Sequence, residues 1–361
     1  MTADSSTVEP TAPPPARASR PARTEAIPSR RERSIPFAGW MVIARKELGD
    51  HLLSWRFVIL VLIIAAAAIV PLYFAADALR SNADTNGRLP ARFLTLFYYG
   101  PPVANGQVTL PSVAQFLAIV GPLLGVVFAF DAVNGERAQG TLPRILSQPI
   151  HRDDVINGKF AAGLAVIGLV IVAVIAGIAA FGIIRIGIVP TAPELLRLML
   201  WIVVTMVYVS AWLAFGMVLS VVARSAATSA LVGFGMWAFL TFLGGFVVQL
   251  IQNIVAPLAG ITDVQTYLTN TGTQQLIQRL LPSTLYQEAS IVLLNPQVMS
   301  RDLSTPTTIG GLAQAQQQVP SILSLDQSLI LVWPQVVALV AVTVAFFAIA
   351  YVRFMRQEVR A

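Results

Sequence analysis

Six apolar runs, each long enough to cross a lipid bilayer as a helix, constrain the fold of this chain more than any other feature. None of them contains Asp, Glu, Lys, Arg or His, and a spanning helix needs roughly 20 apolar residues. Charged residues make up only 12% of the 361 residues, about half the share in a soluble domain. We therefore predict an all-α integral membrane protein with six transmembrane helices, at about 57–76, 112–130, 160–184, 198–222, 226–251 and 329–352.

The distribution of basic residues predicts the orientation of these spans. Six spans place both termini on one side of the membrane, and 17 of the 24 Lys and Arg residues fall on that side. Because basic loops stay in the cytoplasm, both termini and the connection 131–159 are predicted to be cytoplasmic, with 77–111 and 252–328 external. The net charge of +6 thus reflects membrane orientation, and we predict no nucleic-acid partner.

The residues before the first span divide into two segments. Residues 1–36 contain seven prolines and are predicted to form a disordered cytoplasmic tail, because they offer too little apolar surface to bury. Residues 37–56 place apolar side chains every three or four positions, which predicts an amphipathic helix in the membrane interface, here called the elbow helix. Its function stays open between a simple anchor and a lever that touches a cytoplasmic partner. Its apolar face is formed by Phe37, Trp40, Met41, Ala44, Leu48, Leu52 and Trp55.

The segment 131–159 is a dense polar connection between the second and third apolar runs. Its charges and its helix-compatible composition indicate a surface presented to a soluble partner, although such runs are often only solvated loops. Within it, Gly140 is predicted to end a short helix at the position after the helix cap. The external connection 252–328 contains a second helical feature, because 274–294 reads as two short amphipathic helices broken at Pro282.

The sequence contains few residues of the kinds that enzymes use for catalysis or for metal binding. It has no cysteine and only two histidines, His51 and His151, so we predict no metal site. Gly158-Lys159 superficially resembles a phosphate-binding loop, but Asp153 stands where that motif requires glycine. Neither a nucleophile paired with a base nor an ionisable residue within a span is present, which argues against a membrane enzyme and against an ion-coupled pump.

With six spans and an elbow helix, the chain resembles the membrane subunits of ABC exporters, in the type-2 exporter permease family. The resemblance covers roughly residues 37–361 and includes the paired helices at 274–294. It also depends on motifs in the polar connection, namely Glu136-Arg137-Ala138-Gln139-Gly140-Thr141, Leu146-Ser147-Gln148-Pro149, Arg152 and Gly158-Lys159.

This resemblance implies a permease subunit that is not itself an enzyme. Two copies of a separate ATP-binding subunit would carry ATP and Mg, so the chain itself would hold no cofactor. The pathway would form with a second permease copy, identical or paralogous, in a bacterial plasma (inner) membrane. The residues implied to contact the ATPase are Asn134, Glu136, Arg137, Gly140, Thr141, Arg144, Ser147, Pro149 and Arg152. Closing of the ATPase would also move the elbow helix, whose implied site residues are Trp40, Arg45, Lys46 and Glu47.

Two other classes of function stay open at this point. A membrane transporter or channel powered without ATP is the first, and a membrane scaffold or sensor without transport is the second. The substrate is not indicated, because small and aromatic apolar residues suit a ligand pathway and a lipid-facing surface equally well.

Overall fold

The computed structural model describes residues 39–86, 92–100, 102–103, 108–142, 150–261, 263–296 and 323–357. These residues are almost entirely helical, apart from two two-residue strands, Pro102–Val103 and Val108–Thr109, which pair antiparallel. The predicted tail 1–36, residues 143–149 and residues 297–322 of the predicted external connection lie outside them. In chain order the helices are α1 (Gly39–Leu52), α2 (Trp55–Asn86), α3 (Arg92–Tyr98), α4 (Val113–Ala129), α5 (Asn134–Ala138), α6 (Arg152–Phe181), α7 (Ala192–Val222), α8 (Ala226–Ala238), α9 (Gly244–Val255), α10 (Val264–Gln278), α11 (Pro282–Leu294) and α12 (Leu325–Met355).

Five helical segments within the described residues are long and apolar enough to cross a membrane. The count becomes six if α1 and the Phe57–Val70 part of α2, which are bent by 63° to each other, form one broken span. The structure therefore confirms an all-helical, multi-pass membrane protein. Six separate spans, and a position of α1 in the membrane interface, stay predictions.

Several helices are longer than the apolar runs that predicted them. The helix of the third run begins at Arg152 and continues through a π-helical turn, Gly182–Ile186, and that of the last run covers 325–355. The predicted bounds stopped at the first charged residue, but a helix satisfies its own backbone hydrogen bonds and can project a charged turn beyond the lipid. The tight turn predicted between the fourth and fifth runs is confirmed, since α7 ends at Val222 and α8 begins at Ala226.

Helices α4 and α7 form the centre of the bundle. Their backbones approach closely at Gly125, where an added Cβ would lie 2.6 Å from the backbone nitrogen of Leu213. Gly121, one turn earlier, faces Val209 in the same way. This Gly-x-x-x-Gly spacing lets two membrane helices pack closely without lipid between them.

The connection between the first two apolar runs is more ordered than its polar composition predicts. Helix α2 continues to Asn86, and the short helix α3 is packed into the bundle, with Phe93 and Phe97 at most 1% exposed. The ring of Phe97 lies 5.7 Å from that of Trp201, and the Glu194 carboxylate accepts a hydrogen bond from the Phe93 backbone N–H at 3.1 Å. These contacts come from α7, about 100 residues away, which is why local composition did not reveal the helix.

Helices α10 and α11 form a helical hairpin that inserts beside α9. The predicted break at Pro282 is confirmed, but the first helix begins ten residues earlier than predicted, at Val264. Gln252 of α9 donates to the Gln274 carbonyl, and Gln274 donates back to the Ala256 carbonyl, each at 2.8 Å. These paired amides lock α10 against α9 with the two helices antiparallel.

The two ends of the bundle differ in what they carry. The α5 end is formed by α1, α5, the start of α6 and the last turns of α7 and α12. The hairpin end is formed by α3, the starts of α7 and α12, and the hairpin α10–α11. The predicted coupling residues that the structure describes all lie at the α5 end.

Candidate functional site

Helix α5 is a five-residue helix whose C-terminus is fixed by Gly140. Gly140 has φ +66°, a left-handed conformation that glycine adopts without the steric cost of a Cβ. The Gly140 N–H donates to the Arg137 carbonyl at 3.2 Å and the Thr141 N–H to the Glu136 carbonyl at 3.0 Å. This pair of bonds is a Schellman motif, which satisfies carbonyls left free at a helix end. The predicted position of Gly140 is thus confirmed.

The N-terminus of α5 is capped by a different helix. The hydroxyl of Ser220, near the end of α7, accepts hydrogen bonds from the backbone N–H groups of Val133 at 2.9 Å and Asn134 at 3.3 Å. Ser220 and Asn134 are both fully buried. Because the first N–H groups of a helix lack partners within it, Ser220 ties the start of α5 to the end of α7.

Lys159 joins the elbow helix to α5. Its ammonium Nζ lies 2.6 Å from Glu136 Oε1 of α5 and 3.1 Å from Glu47 Oε1 of α1, and its side chain is 4% exposed. Lys46, on the surface of α1, pairs with Glu47 at 3.2 Å. The cluster therefore alternates acidic and basic groups, and each buried charge has an opposite partner, as burial requires.

Gly158, the neighbour of Lys159, allows α1 to reach α6. A Cβ at Gly158 would lie 2.7 Å from the Trp40 carbonyl oxygen and 2.8 Å from Ile43 Cβ. Ile43 is the buried residue of α1, although the predicted apolar face did not include it. The Gly-Lys pair that superficially resembled a phosphate loop thus has a different use here, since its glycine brings α1 close and its lysine bridges two carboxylates.

Asp154 caps two helices at once. Its Oδ1 accepts a hydrogen bond from the Trp40 backbone N–H at 3.0 Å, at the start of α1, and its Oδ2 accepts from the His151 N–H at 3.2 Å, at the start of α6. A carboxylate at a helix N-terminus is favoured by both the free N–H groups and the helix dipole. The indole ring of Trp40 takes no part and is partly exposed.

Gln357, just after α12, connects four helices. Its side-chain Oε1 accepts a hydrogen bond from Arg137 Nη2 of α5 at 2.5 Å, and its Nε2 donates to the Val221 carbonyl near the end of α7 at 2.8 Å. Its backbone carbonyl accepts from Arg152 Nη1, at the start of α6, at 3.1 Å. Movement of α5 therefore reaches the ends of α6, α7 and α12 through one residue.

This packing shifts the pKa values of two side chains of α1. Burial acts to raise the pKa of Glu47, but the Lys159 ammonium beside it, with Lys46, holds that pKa below its ordinary value. Burial lowers the pKa of His51, whose ring packs edge-on against Phe128 with centroids 5.3 Å apart. At neutral pH, Glu47 is therefore charged and His51 neutral.

The structure brings together most of the predicted site residues that it describes. Glu47 and Glu136 meet at Lys159, and Arg137 and Arg152 meet at Gln357. Arg45 is apart from them on the exposed face of α1. Arg144, Ser147 and Pro149 lie outside the described residues.

Sequence reasoning assigned no site role to several residues that hold this end together, namely Asp154, Lys159, Ser220 and Gln357. A lysine just inside an apolar helix is the one signal that could have found Lys159, because a buried ammonium needs a partner. Nothing local distinguishes Ser220 or Gln357. Among the described residues, no group of three or more His, Cys, Asp or Glu side chains could hold a metal ion.

The chain is similar to known transporter proteins. The family described as ABC-2 family transporter protein matches residues 41–359. Over 129 residues the chain is 28% identical to the probable ABC transporter permease protein NosY of Stutzerimonas stutzeri, covering 36% of this chain and 40% of that protein. Over 152 residues it is 29% identical to the probable ABC transporter permease protein NosY of Pseudomonas aeruginosa strain PAO1, covering 42% and 46%. The matches thus span less than half the length of these relatives. Because the family match extends over most of its length, the chain belongs to the ABC-2 family of transporter proteins.

Proposed function

We propose that this chain is the permease subunit of an ATP-driven ABC exporter, and that it forms half of a translocation pathway with a second permease copy. Two copies of a separate ATP-binding subunit bind at the α5 end and carry ATP and Mg. The chain itself holds neither and is not an enzyme. The α5 end and both termini lie in the cytoplasm of a bacterial cell, beneath the plasma membrane.

The observation that carries this proposal is the contact of Lys159 with Glu47 and Glu136. A loop that only connects two spans has no need of a buried ion pair to a helix 112 residues earlier in the chain. The pair makes α1 and α5 one mechanical unit on the first turns of α6. A subunit that pushes on this unit therefore moves a spanning helix directly.

The surface offered to the ATPase consists of the exposed part of α5 and the segment that follows it. Closing of two ATPase subunits on ATP would displace α5 and α1 together. Ser220 and Gln357 would then pass the displacement to α7 and α12. Rocking of these helices against those of the second copy would open the pathway alternately to either side.

Co-purification of the ATPase with permease variants tests the proposal. Gly140→Val forces a Cβ into the left-handed conformation and redirects the chain after α5 without removing a charge. Arg137→Ala removes the contact with Gln357. We expect both variants to reach the membrane in normal amounts and to retain less ATPase than the parent. Arg185→Ala, at an exposed position at the hairpin end of the bundle, is the matched control.

If Gly140→Val and Arg137→Ala both retain the ATPase and export like the parent, then α5 is only a connection and the proposal is wrong. Robust ATP hydrolysis by the purified chain, free of any other subunit, would contradict the division of labour as well.

Orientation is tested separately by labelling introduced cysteines, because the chain has none of its own. A cysteine at Ser147 should resist a membrane-impermeant maleimide in intact cells and react after the cells are opened. A cysteine at Leu268, which is 59% exposed on α10 at the hairpin end, should react in both cases. The reverse pattern would place the α5 end outside the cell.

A further inference from the structure

The hairpin α10–α11 carries an ion pair into the membrane-spanning part of the bundle. Arg279 follows the end of α10, and Glu288 lies in α11. The Arg279 Nε lies 2.9 Å from Glu288 Oε2 and 3.2 Å from Oε1. Sequence analysis assigned both residues to an external connection, because no apolar run contains them.

The depth of this pair follows from contacts on three neighbouring helices. Helix α11 packs antiparallel to α7. Trp201 of α7 donates a hydrogen bond to Ser290 of α11, and Thr205 of α7 contacts Tyr286 of α11. Glu288 lies between these two levels, and a helix rises 1.5 Å per residue. Glu288 therefore lies roughly 7 Å inward from Leu198, where the apolar part of α7 begins.

Helices α12 and α9 give consistent depths. Ser328 of α12 bonds to Arg197, at the hairpin end, and Gln335, seven residues further inward, donates to Glu288 Oε2 at 2.9 Å. On α9, Gly244 faces Leu281, beside the tip of the hairpin, and lies roughly 16 Å inward from Val255 by the same helical rise. The ion pair thus lies level with the apolar parts of α7, α9 and α12, in the half of the bundle on the hairpin side.

The pairing leaves the charged fork of Arg279 open. Arg279 binds Glu288 only through its Nε atom. The fork consists of the two Nη atoms, and neither has a hydrogen bond to a described residue. The Arg279 side chain is 34% exposed, whereas that of Glu288 is 11% exposed. A purely structural ion pair in a membrane would be expected to use the fork and hide it, because an unpaired guanidinium in lipid is costly.

Gln335 provides a second unsatisfied group at the same carboxylate. It is 7% exposed, its Nε2 is used by Glu288, and its Oε1 is buried with no hydrogen-bond partner among the described residues. Buried polar atoms are normally paired. An acceptor and a cationic fork left open around one carboxylate indicate a place that a ligand completes.

We propose that Arg279, Glu288 and Gln335 form a binding site for the anionic group of an amphiphile, a phosphate or a carboxylate, within the hairpin-side half of the membrane. The Nη fork of Arg279 binds two oxygens of the anion, and Glu288 holds the guanidinium in position through Nε. Gln335 Nε2 holds the Glu288 carboxylate at Oε2. The apolar part of the ligand lies along the exposed, lipid-facing surfaces of α9 and α12. As a step on an export path, this site depends on the proposed function, but binding itself does not require the ATPase.

The test is native mass spectrometry of the full chain in a neutral maltoside detergent, titrated with two probes. Dodecyl phosphate represents a free anionic amphiphile, and phosphatidylglycerol represents a membrane lipid. The variant Arg279→Gln/Glu288→Gln replaces the ion pair by two amides, so that no buried charge is left alone. Arg279→Lys keeps the charge but loses the fork, and Arg224→Gln, exposed at the other end of the bundle, is the control.

We expect the double variant to bind at least one probe about 10- to 100-fold more weakly than the parent, as for hydrogen bonds to a charged group. The affinity of Arg279→Lys should lie between those of the parent and the double variant, and Arg224→Gln should bind like the parent. Loss confined to phosphatidylglycerol would identify a lipid as the occupant, and loss confined to dodecyl phosphate a free amphiphile. Equal affinity of parent and double variant, or no binding of either probe by the parent, overturns the site. Neither result bears on ATPase binding at the α5 end.

Discussion

Lys159 Nζ and Glu47 Oε1 are 3.1 Å apart, although 112 residues separate them in the chain. The lysine belongs to α6 and the glutamate to α1, so the contact fixes the elbow helix to the base of a spanning helix. Because the same ammonium also binds Glu136, the position of α1 depends on the position of α5.

Replacing Lys159 by Met should detach α1 and α5 from each other. The change leaves Glu136 without its cation and Glu47 with only the exposed Lys46, and breaking a buried pair costs about 3–5 kcal/mol. We expect a lower melting temperature of the purified chain and faster proteolysis within α1. Lys46→Met is the control, because Lys46 is 61% exposed and exposed pairs contribute about 0–1 kcal/mol. Equal melting temperatures of the two variants would contradict the role of Lys159.

A methyl group at Gly158 should disturb the same contact by a different route. Gly158→Ala brings a Cβ within 2.7 Å of the Trp40 carbonyl, and overpacking of this kind costs about 1–3 kcal/mol. Gly177→Ala on the same helix is the matched control, since a Cβ there meets nothing within 4 Å. The measurement is maleimide labelling of a cysteine introduced at Ile43. Labelling should be faster in Gly158→Ala and unchanged in Gly177→Ala, and equal rates in both would show that α1 does not pack at Gly158.

Acidification should weaken the docking of α1 in two stages. The pKa of folded His51 lies below its ordinary 6.5, so the unfolded state takes up the proton first. The free energy of unfolding therefore falls as pH decreases from 6.5 towards the lowered pKa. The pKa of folded Glu47 lies below its ordinary 4.5, so its stabilisation is complete above 4.5 and is lost as pH falls through the lowered pKa.

Melting temperatures measured across this pH range separate the two groups. His51→Leu should remove the first stage and keep the second, and Glu47→Gln should do the opposite. A parental chain whose stability does not change between pH 7 and pH 4 would show that these two side chains are not packed as described.

Removing the side chain of Gln357 should loosen the junction between α5, α7 and α12. Gln357→Ala removes the hydrogen bond to the carbonyl of buried Val221, and leaving a buried acceptor unsatisfied costs about 1–3 kcal/mol. It also removes the contact with Arg137. We expect a lower melting temperature and faster hydrogen exchange in the last turn of α7. Arg356→Ala changes the adjacent, exposed residue and should match the parent. Hydrogen exchange that is the same in both variants would mean that Gln357 does not cap α7.

The apolar runs alone determined that this chain is a helical membrane protein with at least five spans. In lipid each backbone polar group must find a partner within the protein, and a helix pairs them within one segment. Local chemistry also predicted the end of α5 at Gly140 and the break at Pro282. In both cases the residue type imposes its own backbone conformation, so no distant contact is needed.

Tertiary structure alone decided how the ends of the bundle are joined. Lys159, Ser220 and Gln357 have partners as far as 112, 87 and 220 residues away, respectively, and sequence spacing carries no record of such contacts. The same holds for Arg279 and Glu288, whose charge suggested an external loop. Their hairpin is drawn into the bundle by packing against α7, α9 and α12, and the ion pair neutralises the charge that would otherwise keep each residue in water.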